Sequence, residues 1–246
     1  MTRTILLANQ KGGTAKTTSA IALSHDLAQR GHTVVLIDLD AQGNLSSALG
    51  VKPSPSLYQV LLGLTKLSDA LIEVHPDLWL LGGDKSTKEL KEILVGKPYR
   101  ETILSRTLAP VESDFIILDT GPSRDLMHDN AHHAADQVIV PCALDFLAMA
   151  GLAQEVESLK EVREHGHKIE LLAVLPVFFE QVTNESRRNL QALTTKFGSL
   201  VLPAVPRTVL LREAPSYGKT IWEYLPATHK ACAAYKRLTE RVLNGQ

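Results

Sequence analysis

Near the start of the chain, Gln10-Lys11-Gly12-Gly13-Thr14-Ala15-Lys16-Thr17-Thr18 lies between an apolar run and an amphipathic one. Backbone N–H groups can converge on phosphate oxygens only in a turn with unusual dihedral freedom, which Gly12 and Gly13 supply. A helix opening at Lys16 adds the partial positive charge of its N-terminus. In that frame Lys16 reaches the β- and γ-phosphates of a nucleotide and the Thr17 hydroxyl ligates Mg²⁺, with Thr14, Ala15 and Thr18 in the surrounding cradle. Two acidic segments follow in order: Asp38-Leu39-Asp40-Ala41-Gln42-Gly43-Asn44, and Phe115-Ile116-Ile117-Leu118-Asp119-Thr120-Gly121-Pro122. In the second, four apolar residues bury a strand and deliver Asp119 beside the metal, where it can hold a Mg²⁺-bound water.

Elements able to position these groups are legible in the pattern. Short runs rich in Val, Ile and Leu recur at Thr4–Ala8, Thr33–Ile37, Leu78–Leu81, Phe115–Leu118, Gln137–Val140 and Ile169–Leu175. Alternating with helical patterns, such runs read as buried parallel strands of βαβ units. Lys16–Arg30 carries Ala20, Leu23 and Leu27 on one helical face and meets a stop at Gly31. Leu152–Glu164 and Asn184–Phe197 are further amphipathic helices, and Ala231, Tyr235, Leu238 and Val242 mark the inner stripe of a last one. The architecture expected is α/β, a doubly wound, mostly parallel sheet flanked by helices, forming one domain over residues 1–246.

The general phosphate-loop pattern G-x-x-x-x-G-K-[ST] is not met, since Gln10 and Ala15 stand where its glycines belong. The loop resembles instead the deviant Walker A motif, K-G-G-x-G-K-[ST], of the ParA/MinD superfamily of P-loop NTPases. Asp38–Asn44 is similar to that family's switch I segment, D-x-D-P-Q-G-N, with Ala41 in place of proline, and Asp119-Thr120-Gly121-Pro122 to its Walker B sequence D-T-P-P. Ser56–Leu62 resembles the short helix after switch I, and Pro203–Lys219 the signature I-P-R-N-V-R-L-S-E-A-P-S-x-G-K. The match runs nearly end to end and is nearest to compact Soj-like members, with no helix-turn-helix domain ahead of the first strand.

The resemblance implies an ATPase that converts ATP to ADP and phosphate slowly, with ATP and Mg²⁺ as cofactors. Lys11 is the signature lysine that crosses an ATP-sandwich homodimer to the partner's nucleotide. Asp40 orients or deprotonates the attacking water, while Asp38, at a strand end, faces the metal shell. Val205, Pro206 and Arg207 help enclose the adenine. Nonspecific double-stranded DNA is bound by basic residues of the C-terminal region, for which Arg187, Arg188, Lys196, Arg212 and Lys219 are the candidates, and Leu210 replaces one arginine of the family pattern. A ParB-like adaptor stimulates hydrolysis and releases the DNA, so that a plasmid, chromosome or other cargo is positioned. The expected location is the nucleoid in a bacterial or archaeal cytoplasm.

Ala15 departs from the family loop. A methyl group costs nothing if this residue has right-handed helical dihedrals and strains the chain if φ is positive; the reading adopted is tolerance.

Bulk properties are compatible with these expectations. The formal net charge of −1 hides an asymmetry: from Pro176 onward ten Lys and Arg face five Asp and Glu, which leaves −6 for the rest. Two separated cysteines, Cys142 and Cys232, are too few for a disulfide framework, a C-x-x-C metal site or the cluster pair of iron–sulfur carriers built on the same loop. No apolar run approaches the ~20 residues that cross a bilayer. A MinD-like membrane regulator would need a basic amphipathic C-terminal helix with apolar residues free for lipid, and Arg237–Gln246 has few. A binding module with negligible hydrolysis is the other alternative, because Ala15 and Ala41 both alter catalytic loops. His128, His132 and Asp136 fall at i, i+4 and i+8 of one helix; helix packing and solvated histidines are the reading preferred over a metal site.

Overall fold

The computed structural model describes residues 2–245. Among them, seven strands form one sheet: β1 (Arg3–Leu7), β2 (Val34–Asp38), β3 (Ile72–His75), β4 (Leu78–Leu81), β5 (Phe115–Asp119), β6 (Gln137–Ala143) and β7 (Glu170–Val177). Their spatial order is β3-β4-β2-β5-β1-β6-β7. Every neighbouring pair is parallel except β3 with β4. The central strands are apolar on both faces: Ile5, Leu6, Leu7, Val34 to Ile37 and Phe115 to Leu118 are all buried, as a parallel sheet covered by helices on both sides requires.

The expected strands are present with ends displaced by up to three residues, and β6 and β7 run on to Ala143 and Val177. The antiparallel edge strand β3 was not anticipated. It is four residues long, half-buried, and joined to β4 by a turn in which Asp77 has φ 61°, so its signal is a brief alternation and a tight turn.

Six longer or site-forming helices are α1 (Lys16–Gln29), α2 (Asn44–Ala48), α3 (Leu126–Ala134), α4 (Phe146–Glu164), α5 (Asn184–Phe197) and α6 (Lys230–Asn244). Ala20, Leu23 and Leu27 of α1 are fully buried, as its periodicity predicts. Helix α4 begins six residues earlier than its stripe suggested. Asp145 caps it by accepting a 2.9 Å hydrogen bond from the Ala148 N–H, whereas Phe146 and Leu147 are exposed and break the apolar periodicity. The stripe of α6 is buried at Ala231, Tyr235, Leu238 and Val242, with the Tyr235 hydroxyl 3.3 Å from Ser19 Oγ of α1. Both cysteines are free and buried.

The histidine reading needs correction in two respects. Asp136 lies beyond the end of α3, exposed, where Oδ2 accepts a 2.8 Å hydrogen bond from the Thr4 N–H. His128 and His132 are not solvated but buried, 3% and 1% exposed.

Candidate nucleotide site

The order β2-β5-β1 brings three carboxyl ends side by side. Register pairs Asp38 with Asp119 and Leu7 with Asp119, so the loop after β1 and both acidic segments converge on one point of the sheet edge. Ligand crevices of open α/β sheets form at such edges.

The loop is pinned at its base by Asn9, which is 1% exposed. Its Nδ2 donates to the Pro141 carbonyl at 2.8 Å, and its Oδ1 accepts from the Lys11 N–H at 3.0 Å. Lys16 is curled into the loop, its ammonium donating to the carbonyls of Asn9 and Lys11 at 3.0 and 3.2 Å. Burial lowers its pKa, opposed by the carboxylates of Asp119, Asp40 and Glu155. The Thr14 hydroxyl donates to the Lys11 carbonyl at 3.2 Å. Gly13 has φ 73° with open space where a Cβ would stand. Helix α1 has neither a capping side chain nor an acid in its first turn, which leaves its leading N–H groups for an anion. Thr17 and Thr18 follow on this turn, half-buried.

Ala15 adopts φ 59°, ψ 28°, the left-handed region, so the expectation of right-handed dihedrals is corrected. The loop keeps the shape a glycine would take, and alanine bears about 1–2 kcal/mol of Cβ strain there. Replacing Ala15 by Gly relieves that strain while loosening the unfolded chain, which offsets about 0.4–1 kcal/mol. Ala15→Gly is therefore expected to raise the unfolding free energy by about 0.5–1 kcal/mol without weakening ATP binding, as read from urea titrations and nucleotide affinity; equal or lower stability would show the position to be unstrained.

Asp119 is fully buried and neither carboxylate oxygen has a hydrogen bond of ordinary geometry. Burial pushes its carboxyl up to about 7, against the pull of the nearby Thr17 hydroxyl and Lys16 ammonium. An unpartnered carboxylate in such a place costs free energy until a cation arrives, and together with the Thr17 hydroxyl it forms an all-oxygen donor set suited to Mg²⁺. Asp38, also fully buried, accepts the N–H of Asp40 at Oδ1 and of Leu45 at Oδ2, both at 3.0 Å. It braces the 40–45 segment, and burial beside Asp119 raises its pKa well above the usual carboxylate range.

The Asp40 carboxylate accepts the Gln42 N–H at 3.0 Å. It rests against Gly121, where an added Cβ would come 3.4 Å from its Cγ. Gly43 takes φ 65°, and a Cβ there would meet the Gly83 carbonyl at 2.9 Å, so this turn requires glycine. A cavity of about 380 Å³ lies between Asp40, Gln42, Gly121, Pro122 and His128.

Two residues escaped the sequence reading. Asn9 hides as an ordinary strand-end amide. Gly151, inside α4, faces the loop so closely that a Cβ would stand 2.4 Å from Asn9 Oδ1 and 3.0 Å from Lys11 Cβ; its signal is a lone glycine within a helical stripe.

The C-terminal candidates divide. Val205 donates its N–H to the Pro176 carbonyl at 2.8 Å, and Arg207 its N–H to the Phe179 carbonyl at 3.0 Å. Pro206 bridges to Phe179, and the Arg207 guanidinium pairs with Glu180 at 2.5 Å over the Phe178 ring. These residues thus extend the edge beyond β7. Lys219 is exposed and lines a small cavity with Thr17, Thr18, Pro215 and Thr220, next to the loop. Arg187, Arg188 and Lys196 are exposed along α5, with Arg187 donating to Asn184 and Lys196 over the Phe197 ring. Arg212 is exposed on the short helix Leu210–Glu213.

Comparisons with known proteins agree with this geometry. A family model described as an AAA domain matches residues 2–172. The chain is similar to the chromosome-partitioning ATPase Soj of Thermus thermophilus, 37% identical over 98% of this chain and 95% of that protein. It is also similar to the chromosome partitioning protein ParA of Caulobacter vibrioides, 33% identical over 98% and 94% of the two chains. Among solved structures, a protein of Mycobacterium smegmatis described as cobyrinic acid a,c-diamide synthase with bound ADP and magnesium superposes with a TM-score of 0.85. It is 31% identical over 99% of this chain and 95% of its own. With phosphate loop, paired strand-end aspartates and C-terminal signature in place on this sheet, the chain belongs to the ParA/Soj family of partition ATPases.

Proposed function

We propose that this ATPase cycles between an ATP-bound homodimer that holds DNA without sequence preference and a released state reached by hydrolysis. What carries the reading is the pairing of an unpartnered, buried Asp119 with a phosphate loop that already gathers Lys16 and Thr17. Bound Mg²⁺ would neutralise phosphate charge, with Thr17 and Asp119 holding it. Lys16 leaves its two loop carbonyls for the phosphates, and the free N–H groups of α1 receive the phosphate oxygens. Asp38 keeps the 40–45 segment in register so that Asp40 can take a proton from the attacking water. Lys11, half-buried where α4 packs against the loop, serves the partner's nucleotide. Hydrolysis is slow until a ParB-like adaptor engages the dimer.

The buried stripe of α6 supports DNA rather than lipid as the surface partner, because its apolar face is already spent on the core. Arg187, Arg188 and Lys196, on one exposed helix, with Arg212 and Lys219, also exposed, form the proposed DNA contacts. The test is ATP turnover and DNA binding with Mg²⁺, nonspecific duplex and an adaptor. Turnover is expected to rise when DNA and adaptor are both present. With ~6 phosphates contacted, log affinity should fall against log salt with a slope near −5. Salt-independent binding, or turnover unmoved by any partner, would leave an ATP-dependent binding module of another kind.

A further inference from the structure

His128 and His132 stand one turn apart on α3 with ring centroids 4.2 Å apart, and Glu155 of α4 lies between them. All three are buried, at 3%, 1% and 0% exposure. Glu155 Oε1 is 2.7 Å from His132 Nε2, and Oε2 is 3.2 Å from His128 Nε2. The hydrogen count at His132 is constrained. Its Nδ1 lies 2.8 Å from the His128 carbonyl oxygen, which can only accept, so Nδ1 carries the proton. In the neutral ring, Nε2 then aims a lone pair at a carboxylate oxygen. A cation must stand there: either a further proton or a metal ion.

We propose that His128 Nε2, His132 Nε2 and the Glu155 carboxylate bind a first-row transition-metal dication of the Zn²⁺ class, stapling α3 to α4. Two imidazoles and one carboxylate are a set that zinc takes, with a fourth position left for water. At ordinary bond lengths the donors of a tetrahedral site are about 3.4 Å apart, and these three lie within 4.8 Å of one another. The outer wiring also fits at His132. A metal-bound imidazole commonly donates its other N–H to a carbonyl or carboxylate. His132 does so to the His128 carbonyl, whereas His128 Nδ1 is buried without a hydrogen bond, with Asp129 Oδ1 4.0 Å away. The cavity shared with Asp40 and Gly121 reaches His128 and gives a route in.

The staple would bear on the nucleotide loop, because α4 packs Gly151 against Asn9 and Lys11, and its Ser158 accepts a 2.9 Å hydrogen bond from Gln10 Nε2. It is separate from the Mg²⁺ position, whose donors are oxygens and which prefers a hard ion.

The full chain, stripped with a chelator and held in excess Mg²⁺, is titrated with Co²⁺ and then Zn²⁺. One Co²⁺ per chain is expected, with the intense visible absorption of a four-coordinate ion, erased by Zn²⁺. At Zn²⁺ about 100-fold above its Kd, the thermal midpoint should rise by roughly 5 °C or more. Glu155→Gln and His132→Gln should each weaken uptake at least about tenfold. His25→Ala, at the separate cluster of His25, His75 and Glu223, should leave it unchanged. A wild-type chain without that absorption would overturn the proposal in favour of a proton-bridged cluster, whatever the variants do; so would absorption that survives Glu155→Gln or disappears with His25→Ala.

Discussion

Asp119→Asn is expected to cut Mg²⁺-dependent ATP turnover by about 100-fold or more and, at pH 8, to make the nucleotide-free protein more heat-stable than the wild type. Both effects have one source. The carboxylate is fully buried with neither oxygen hydrogen-bonded, and its pKa is pushed from the ordinary 3.8 up to about 7. An acid whose folded-state pKa is raised holds its proton more tightly when folded. Its favourable contribution is complete below about pH 4, drains away as pH rises toward 7, and leaves a constant penalty above. With relaxation around the coupled Asp38 taken into account, that penalty is on the order of 2 kcal/mol. Asparagine cannot ionise, so its contribution is flat with pH, though its unpaired amide costs about 1 kcal/mol. The variant should therefore melt at or below the wild type at pH 5 and about 2–4 °C above it at pH 8. Melting curves at the two pH values, without nucleotide or Mg²⁺, check the crossing. Parallel wild-type and variant profiles would mean that Asp119 is not held against its charge, and the case for a metal position at this carboxylate would weaken with it.

Much of this site was legible because its chemistry is written in short, contiguous strings. Asp38, Asp40 and Asp119 stand at or just past the ends of apolar runs, where a buried parallel strand delivers them, and Lys16 and Thr17 open the helix that follows the glycine loop after the first run. What escaped was three-dimensional. Nothing in the sequence says that Asp38 would spend its oxygens on the N–H groups of Asp40 and Leu45. Nor does it say that Ala15 would be held left-handed by the loop around it. Gly151 and Glu155 are more than 130 residues from the loop they approach or influence. Glu155 also completes the histidine pair in place of Asp136, since α3 ends before Asp136 while α4 crosses behind it. The edge strand β3 and the exposed start of α4 were missed for a plainer reason: each lacks a sustained apolar period.

Asp40→Ala is expected to lower kcat by ~10²–10⁴, the range in which a positioned general base contributes, while ATP affinity changes less than about threefold. If hydrolysis is what ends the DNA-bound state, the variant loaded with ATP should remain on duplex DNA long after the wild type has left, as followed by dissociation in a flow cell. Alanine alone does not isolate the chemistry, because Asp40 also accepts the Gln42 N–H and packs on Gly121. Removing it could simply let the 40–43 turn drift. Asp40→Asn separates the two contributions: the amide oxygen can still accept from Gln42 at nearly the same place, but it has no useful basicity. Loss of turnover in both variants, with the turn preserved in Asp40→Asn, assigns the effect to proton transfer or water alignment by the carboxylate. Near-normal turnover in Asp40→Asn would make Asp40 a brace of the turn, and the basic group would then have to be sought elsewhere around the cavity between this segment and the loop after β5.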